Sequence, residues 1–335
     1  MESKKITFNF YGINISVSGF NSIVDKITCD FKYFININNN SFDIKLDINL
    51  TNPSYEKVPK VCASMYKTDC ISYDKDNIRY VDYSGKALAI YNIKTNNAEF
   101  FSADEDLLYE IVYLFIHSRV GELLDKKGLH RIHACSFSFG NNIYVVMLPQ
   151  GGGKSTLLMD LLKDERIKLI SDDTPLCDRK GNILPFPIRI GVNNDTDISY
   201  IPNEYISIFN RRKFGQKKLI SYEFFKDKIE NKQLPVTIIY GIRCFCDKPK
   251  IVKSNIFIGF LHLFKNCIVG YGLPQVLEYF LIGGFKDSFS KIKIVFSRCY
   301  AGIKLLLKHK SVWCFYISND KSINAKFFTD RFKKL

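Results

Sequence analysis

Tyr144-Val145-Val146-Met147-Leu148-Pro149-Gln150-Gly151-Gly152-Gly153-Lys154-Ser155-Thr156 is the stretch on which the reading of this chain turns. An apolar run of strand character feeds three glycines. Lys-Ser follows, then Leu157, Leu158, Leu161 and Leu162 at helical spacing. Glycines let backbone N–H groups turn toward phosphate oxygens with no Cβ in the way. The start of the helix adds a favourable dipole for an anion. Gly151, Gly152, Gly153, Lys154, Ser155 and Thr156 are therefore the nucleotide-binding candidates, with Lys154 reaching the β- and γ-phosphates and the Ser155 hydroxyl on Mg²⁺. The strict pattern GxxxxGK[ST] has a glycine six residues before the lysine, and here that position is Leu148. The alternative is a glycine turn beside an unrelated surface lysine; the flanking strand and helix speak against it.

On the C-terminal side, Lys168–Ser171 reads as a buried strand closing on Asp172-Asp173, eighteen and nineteen residues after Lys154. A phosphate-binding loop of this type needs a carboxylate at the end of a neighbouring strand to hold Mg²⁺. Two acids can divide the work, one on the metal or its water and one as the base that takes a hydroxyl proton; the leading assignment puts Asp172 as the base and Asp173 with Ser155 on the metal, with the two roles open to exchange. Adjacent side chains of an extended strand point to opposite faces, so both serve one site only where the strand ends. On the N-terminal side, Ala134–Phe139 and Ile143–Leu148 read as two strands around Gly140-Asn141-Asn142. They are preceded by His130-Arg131-Ile132-His133, with His133 21 residues before Lys154.

Residues 129–192 thus run histidine, strand pair, Gly-Lys-Ser loop, helix, and a strand closing on Asp-Asp. That arrangement resembles the bacterial HPr kinase/phosphorylases and the HPr-kinase-like proteins of modified-peptide biosynthesis, and more distantly the phosphoenolpyruvate carboxykinases. The resemblance implies a P-loop kinase core, ATP and Mg²⁺ as cofactors, and transfer of the γ-phosphoryl group to a hydroxyl, serine first, of a peptide or small protein. It implies His133 near the γ-phosphate, Lys154 and Ser155 as phosphate and metal ligands, and Asp172 and Asp173 as the base and metal pair. Besides Leu148, the chain departs at Thr156, where HPr kinases carry glutamate. It also lacks their downstream glycine-rich signature and their usual N-terminal domain, so HPr itself is not the expected substrate. The opening Phe8-Asn9-Phe10-Tyr11-Gly12-Ile13 resembles instead the start of the peptide-biosynthesis relatives.

The rest of the chain frames this core. Residues 4–18, with a turn at Gly12-Ile13-Asn14, and residues 30–50, split by Asn38–Ser41, read as strands. Short apolar runs at 71–73, 78–83, 87–93 and 98–101, separated by polar turns, complete a β-rich N-terminal domain over residues 1–101. Ser102 and the acids Asp104, Glu105 and Asp106 then start a helix that stops at Lys126-Lys127-Gly128. A kinase domain over 102–335 follows. In it, 182–200 reads as strands and turns, 211–232 as loop or helix, 234–245 as an apolar strand, and the region from about 255 as mostly helical with a strand at 312–317 and a helix at 322–333. The fold class expected is α/β (α+β).

Of 335 residues, 46% are hydrophobic and 24% charged, which excludes wholesale disorder. The formal charge of +14 is uneven. Residues 1–210 hold 23 basic and 26 acidic side chains, and residues 211–335 hold 25 and 8. Either an acidic acceptor meets the basic last third, or a lysine-rich composition leaves a solvated surface. The ten cysteines show no disulfide or zinc spacing, and no signal peptide or uncharged spanning run is legible. The expectation is a cytoplasmic protein with no membrane partner. No nucleic-acid-binding motif is present, and a homo-oligomer is compatible. Two alternatives to the peptide kinase stand beside it: a kinase of a free amino acid or hydroxy acid, and a non-catalytic ATP-binding regulator.

Overall fold

In the computed structural model the described residues are 3–36, 41–56, 58–211, 215–270 and 288–333, with only the backbone described for 288–290. The chain is mixed α and β and forms two compact units: residues 1–120 with 209–216, and residues 121–208 with 217–335.

The first unit is built on an eight-stranded sheet. Its strands are β1 (Ser3–Asn9), β2 (Asn14–Phe20), β3 (Ile44–Leu50), β4 (Ala63–Lys67), β5 (Cys70–Lys75), β6 (Ile78–Asp82), β7 (Ala87–Asn92) and β8 (Asn97–Ser102), in the order β1-β2-β3-β8-β7-β6-β5-β4. The turn into β2 needs a left-handed backbone at Tyr11 and Gly12. One expectation fails here. Residues 30–36 do not form a strand; they follow helix α1 (Asn21–Asp30) and wind into a 3-10 turn at Lys32–Phe34. Ile23, Val24, Ile27, Phe31 and Phe34 are buried at helical spacing against β1 and β2, so the apolar residues after Asp30 continue the buried side of the helix and do not alternate as a strand would. Residues 37–40, most of the expected turn, lie outside the described residues. Helix α2 (Glu105–Lys127) starts at Asp104, whose carboxylate accepts the Leu107 N–H at 3.0 Å. Its first turns belong to this unit, with Phe115 set edge-on against Tyr91 and Phe100.

The second unit has a six-stranded mixed sheet with helices on both faces. After the short β9 (His130–Arg131) come β10 (Cys135–Phe139), β11 (Asn142–Met147) and helix α3 (Lys154–Leu161), then β12 (Ile167–Ser171). The short strands β13 (Leu176–Cys177), β14 (Ile183–Leu184) and β15 (Ile190–Val192) follow, then β16 (Ile206–Arg211) and β17 (Gly215–Ile220). The chain closes with β18 (Val236–Arg243), β19 (Lys250–Lys253), α4 (Ile256–Leu263), a π-helical turn at Phe264–Ile268, α5 (Ser288–His309), β20 (Ser311–Ile317) and α6 (Lys321–Phe332). The sheet order is β12-β10-β11-β18-β20-β19. One face buries Ile143, Val145, Val236 and Val312 against Leu263, Cys267, Ala301 and Leu305 of α4, the π turn and α5. On the other face Phe328 of α6 packs its ring on Phe137, Tyr144 and Phe315. The alternation of side chains along each strand assigns these two sets to opposite faces. Of residues 211–232, expected as loop or helix, 215–220 instead form β17, where pairing of Ile190 with Ile220 overrides the local charge and Leu219 and Ile220 are buried, while Tyr222–Lys228 is a 3-10 helix with Phe225 buried. Residues 212–214 and 271–287 lie outside the described residues.

The topology sets up one edge. β10 runs antiparallel to both β11 and β12, so β11 and β12 run the same way and end at the same edge, where β10 begins. The glycine loop leaves β11 there, Asp172-Asp173 leave β12 there, and His133 enters β10 there.

Candidate active site

The loop after β11 has the backbone its glycines allow. Gly151 and Gly153 sit at φ +72° and +91°, a region costly for any residue with a Cβ. Gly152 donates its N–H to the Pro149 carbonyl at 2.9 Å. A Cβ on Gly151 or Gly153 would meet nothing within 4 Å, so the loop faces open space. Helix α3 begins after Gly153 with no side chain capping its first amides, the kind of helix start that suits an anion. Leu148, where the strict pattern has glycine, is buried and lays its side chain over Gly241 of β18; a Cβ there would fall 2.1 Å from Leu148 Cδ2. The missing glycine is thus matched by one on the neighbouring strand.

Lys154 turns inward. Its Nζ lies 2.8 Å from His133 Nε2, 3.2 Å from the Leu148 carbonyl and 3.8 Å from Asp173 Oδ1. His133 Nε2 is also 3.3 Å from Asp173 Oδ1. That nitrogen can accept from the ammonium or donate to the carboxylate, not both, so a single proton position decides the pairing. Backbone bonds hold these groups in register: Ala134 N–H to the Asp173 carbonyl, Ile132 N–H to the Pro175 carbonyl, and β9 paired to β13.

The two aspartates differ sharply. Ser155 Oγ donates to Asp172 Oδ2 at 3.0 Å, while Asp172 Oδ1 is buried with no hydrogen-bond partner. Burial, then the neighbouring Asp173 charge, pushes the Asp172 carboxyl up to about 6, against Lys217, Ser155 and Lys154. Burial also opposes ionisation of Asp173, but the hydrogen bond and charge of His133, then Lys154 and Lys217, hold it below the ordinary carboxylate value. The Asp173 side chain is 45% exposed, so its carboxylate reaches solvent.

Of the residues read from the sequence as the site, His133, Lys154, Ser155, Asp172 and Asp173 come together, but Ser155 joins Asp172, not Asp173. Thr156 Oγ1 lies 3.2 Å from Thr196 Oγ1. Sequence reasoning missed Lys217, whose charge acts on both aspartates and whose Nζ lies over Gly191 of β15. Pairing of β17 with β15 brings it there, and no local motif marks it. Among the described residues no group of three or more His, Cys, Asp and Glu side chains forms a metal cage. The orphaned Asp172 oxygen beside the Ser155 hydroxyl suits instead a divalent ion that completes its shell with phosphate oxygens and water, and the open glycine loop suits the phosphates.

The chain matches no protein-family model and no curated protein sequence. No helix among the described residues is long and apolar enough to cross a membrane.

Proposed function

We propose that the second unit is an ATP- and Mg²⁺-dependent phosphotransferase with an HPr kinase-like P-loop core, acting on a hydroxyl of a peptide or small protein, serine first. The observation that carries this reading is the convergence of the glycine loop, Lys154 and Ser155 with both aspartates and His133 on one sheet edge. Ser155 and Asp172 are the residues that would hold Mg²⁺, which would supply charge neutralisation to the transferring phosphate. Lys154 and the 151–156 backbone bind and orient the phosphates. Asp173, open to solvent and beside His133, is the carboxylate an incoming hydroxyl can reach, although His133 and Lys154 leave it a weaker base than Asp172; the Ser155–Asp172 bond favours Asp172 for the metal. That exchanges the roles expected from the sequence.

The test is transfer of labelled γ-phosphate from ATP to protein and peptide acceptors by the wild type and by Lys154→Ala. Transfer lost in the variant supports the reading. Transfer and nucleotide affinity both unchanged would overturn it, and nucleotide binding with no acceptor labelled would favour the regulator.

A further inference from the structure

Helices α4 and α5 and the π turn between their ends bury one side in the core, yet their outward sides are apolar too. On α5, Ile294, Arg298, Ala301 and Leu305 are buried, whereas Phe296, Ile303 and Leu307 recur at helical spacing on the solvent side. Phe257 and Leu261 of α4 and Phe264 of the π turn extend this surface, with Phe257 66% and Phe296 70% exposed. Large apolar side chains exposed together on packed elements mark interaction surfaces. The patch is also one-signed. No carboxylate occurs in residues 256–270 or 288–309, and Lys265, Lys293, Lys304 and Lys308 stand exposed among the apolar side chains.

The patch is joined to the candidate active site. Asn266, in the π turn between exposed Phe264 and Lys265 on one side and buried Cys267 on the other, accepts the His133 backbone N–H at 2.9 Å. Arg298 of α5 donates to the Cys267 carbonyl at 2.8 Å. A segment lying on this face therefore rests on the same turn that holds His133. A second copy of this chain would bring like-charged lysines together across a two-fold interface, which disfavours it.

We propose that this face is the acceptor-docking surface, and that it takes an acidic amphipathic helix, with apolar side chains against Phe257, Phe264 and Phe296 and carboxylates toward the lysines. The bound helix is an acceptor only if the phosphotransferase reading holds, so docking is measured without ATP. The probe is a fluorescein-labelled peptide of about four helical turns, with leucines at i, i+3, i+4 and i+7, glutamates elsewhere and one serine near an end. Its control carries lysines for the glutamates. Saturable binding of the glutamate peptide is expected, weakening as salt rises. Phe257→Glu with Phe296→Glu should lower affinity at least ~tenfold, about 1.4 kcal/mol, at unchanged circular dichroism. Lys265→Glu with Lys293→Glu should do the same while leaving every apolar contact in place. The proposal is overturned if the glutamate peptide fails to bind, if the lysine peptide binds as well, if neither double variant weakens binding, or if the face instead forms dimers in sedimentation or pellets with phosphatidylglycerol vesicles in place of the peptide. Lys154→Ala should keep peptide binding. Binding by the wild type with no acceptor ever labelled would sink the phosphotransferase reading and leave the docking surface standing.

Discussion

Asp172 and Asp173 are sequence neighbours with opposite surroundings, and single-residue changes separate their roles. Asp173→Asn keeps size and removes basicity. It should leave nucleotide affinity nearly intact while phosphate transfer falls by the ~10²–10⁴-fold of a lost general base, measured by single-turnover kinetics. Asp172→Asn should instead weaken Mg²⁺-dependent ATP binding, because it takes charge from the oxygen pair next to Ser155. The reverse pattern would return the roles to those expected from the sequence. Gly241 is a residue-scale test of the loop. Alanine there would press on Leu148, whose carbonyl receives Lys154. Gly241→Ala should cost ~1–3 kcal/mol by overpacking and lower ATP affinity with it, read from urea unfolding and a binding titration. Unchanged stability would mean that Leu148 moves freely aside.

At the scale of elements, the C-terminal turn of α2, strand β9 and helix α5 meet at a buried charge cluster. Asp125 accepts from Arg298 through both oxygens, at 3.0 and 2.6 Å, and lies 2.8 Å from His130 Nδ1. Burial would raise the Asp125 carboxyl, but the Arg298 charge first and the His130 hydrogen bond after it bring it well below the ordinary carboxylate value. Its folded pKa being depressed, the stability it contributes is fully present above the unfolded value of about 3.9 and is lost as pH falls through that value toward the folded one. Unfolding midpoints of wild type and an Asp125→Asn, Arg298→Met double variant should therefore keep their separation from pH 6 to about 4 and converge below it. Parallel curves would remove Asp125 from the acid response. Arg298→Met alone strands a buried carboxylate and should cost about 3–5 kcal/mol.

Over the whole molecule, the proposed nucleotide chemistry belongs to one unit only. Hydrogen exchange with and without ATP–Mg²⁺ should show new protection at residues 148–156 and 171–174, with strands β5–β7 of the first unit unchanged, because a ligand stabilises what it binds by mass action. Equal protection in both units, or none at the loop, would contradict that assignment. The charge asymmetry belongs to this scale as well, with the basic excess confined to residues 211–335.

The sequence by itself determined most of the local structure: the strand pair, the glycine loop and its helix, the terminal strand and helix, and the alternating strands of the first unit. Each is a matter of near-neighbour sterics and periodic burial, which short windows carry. It also determined the identity of Lys154, Ser155, Asp172, Asp173 and His133 as candidates, because a glycine loop, a strand-end acid pair and a histidine are marked by residue type and spacing. Only the tertiary structure decided which aspartate joins Ser155, that Lys217 stands beside both, that Gly241 makes room for Leu148, and that an apolar, lysine-studded face shares a turn with His133. The reason is physical. These relations depend on strand order and register between segments far apart in the chain, and a one-residue shift in register would send every side chain concerned to the other face.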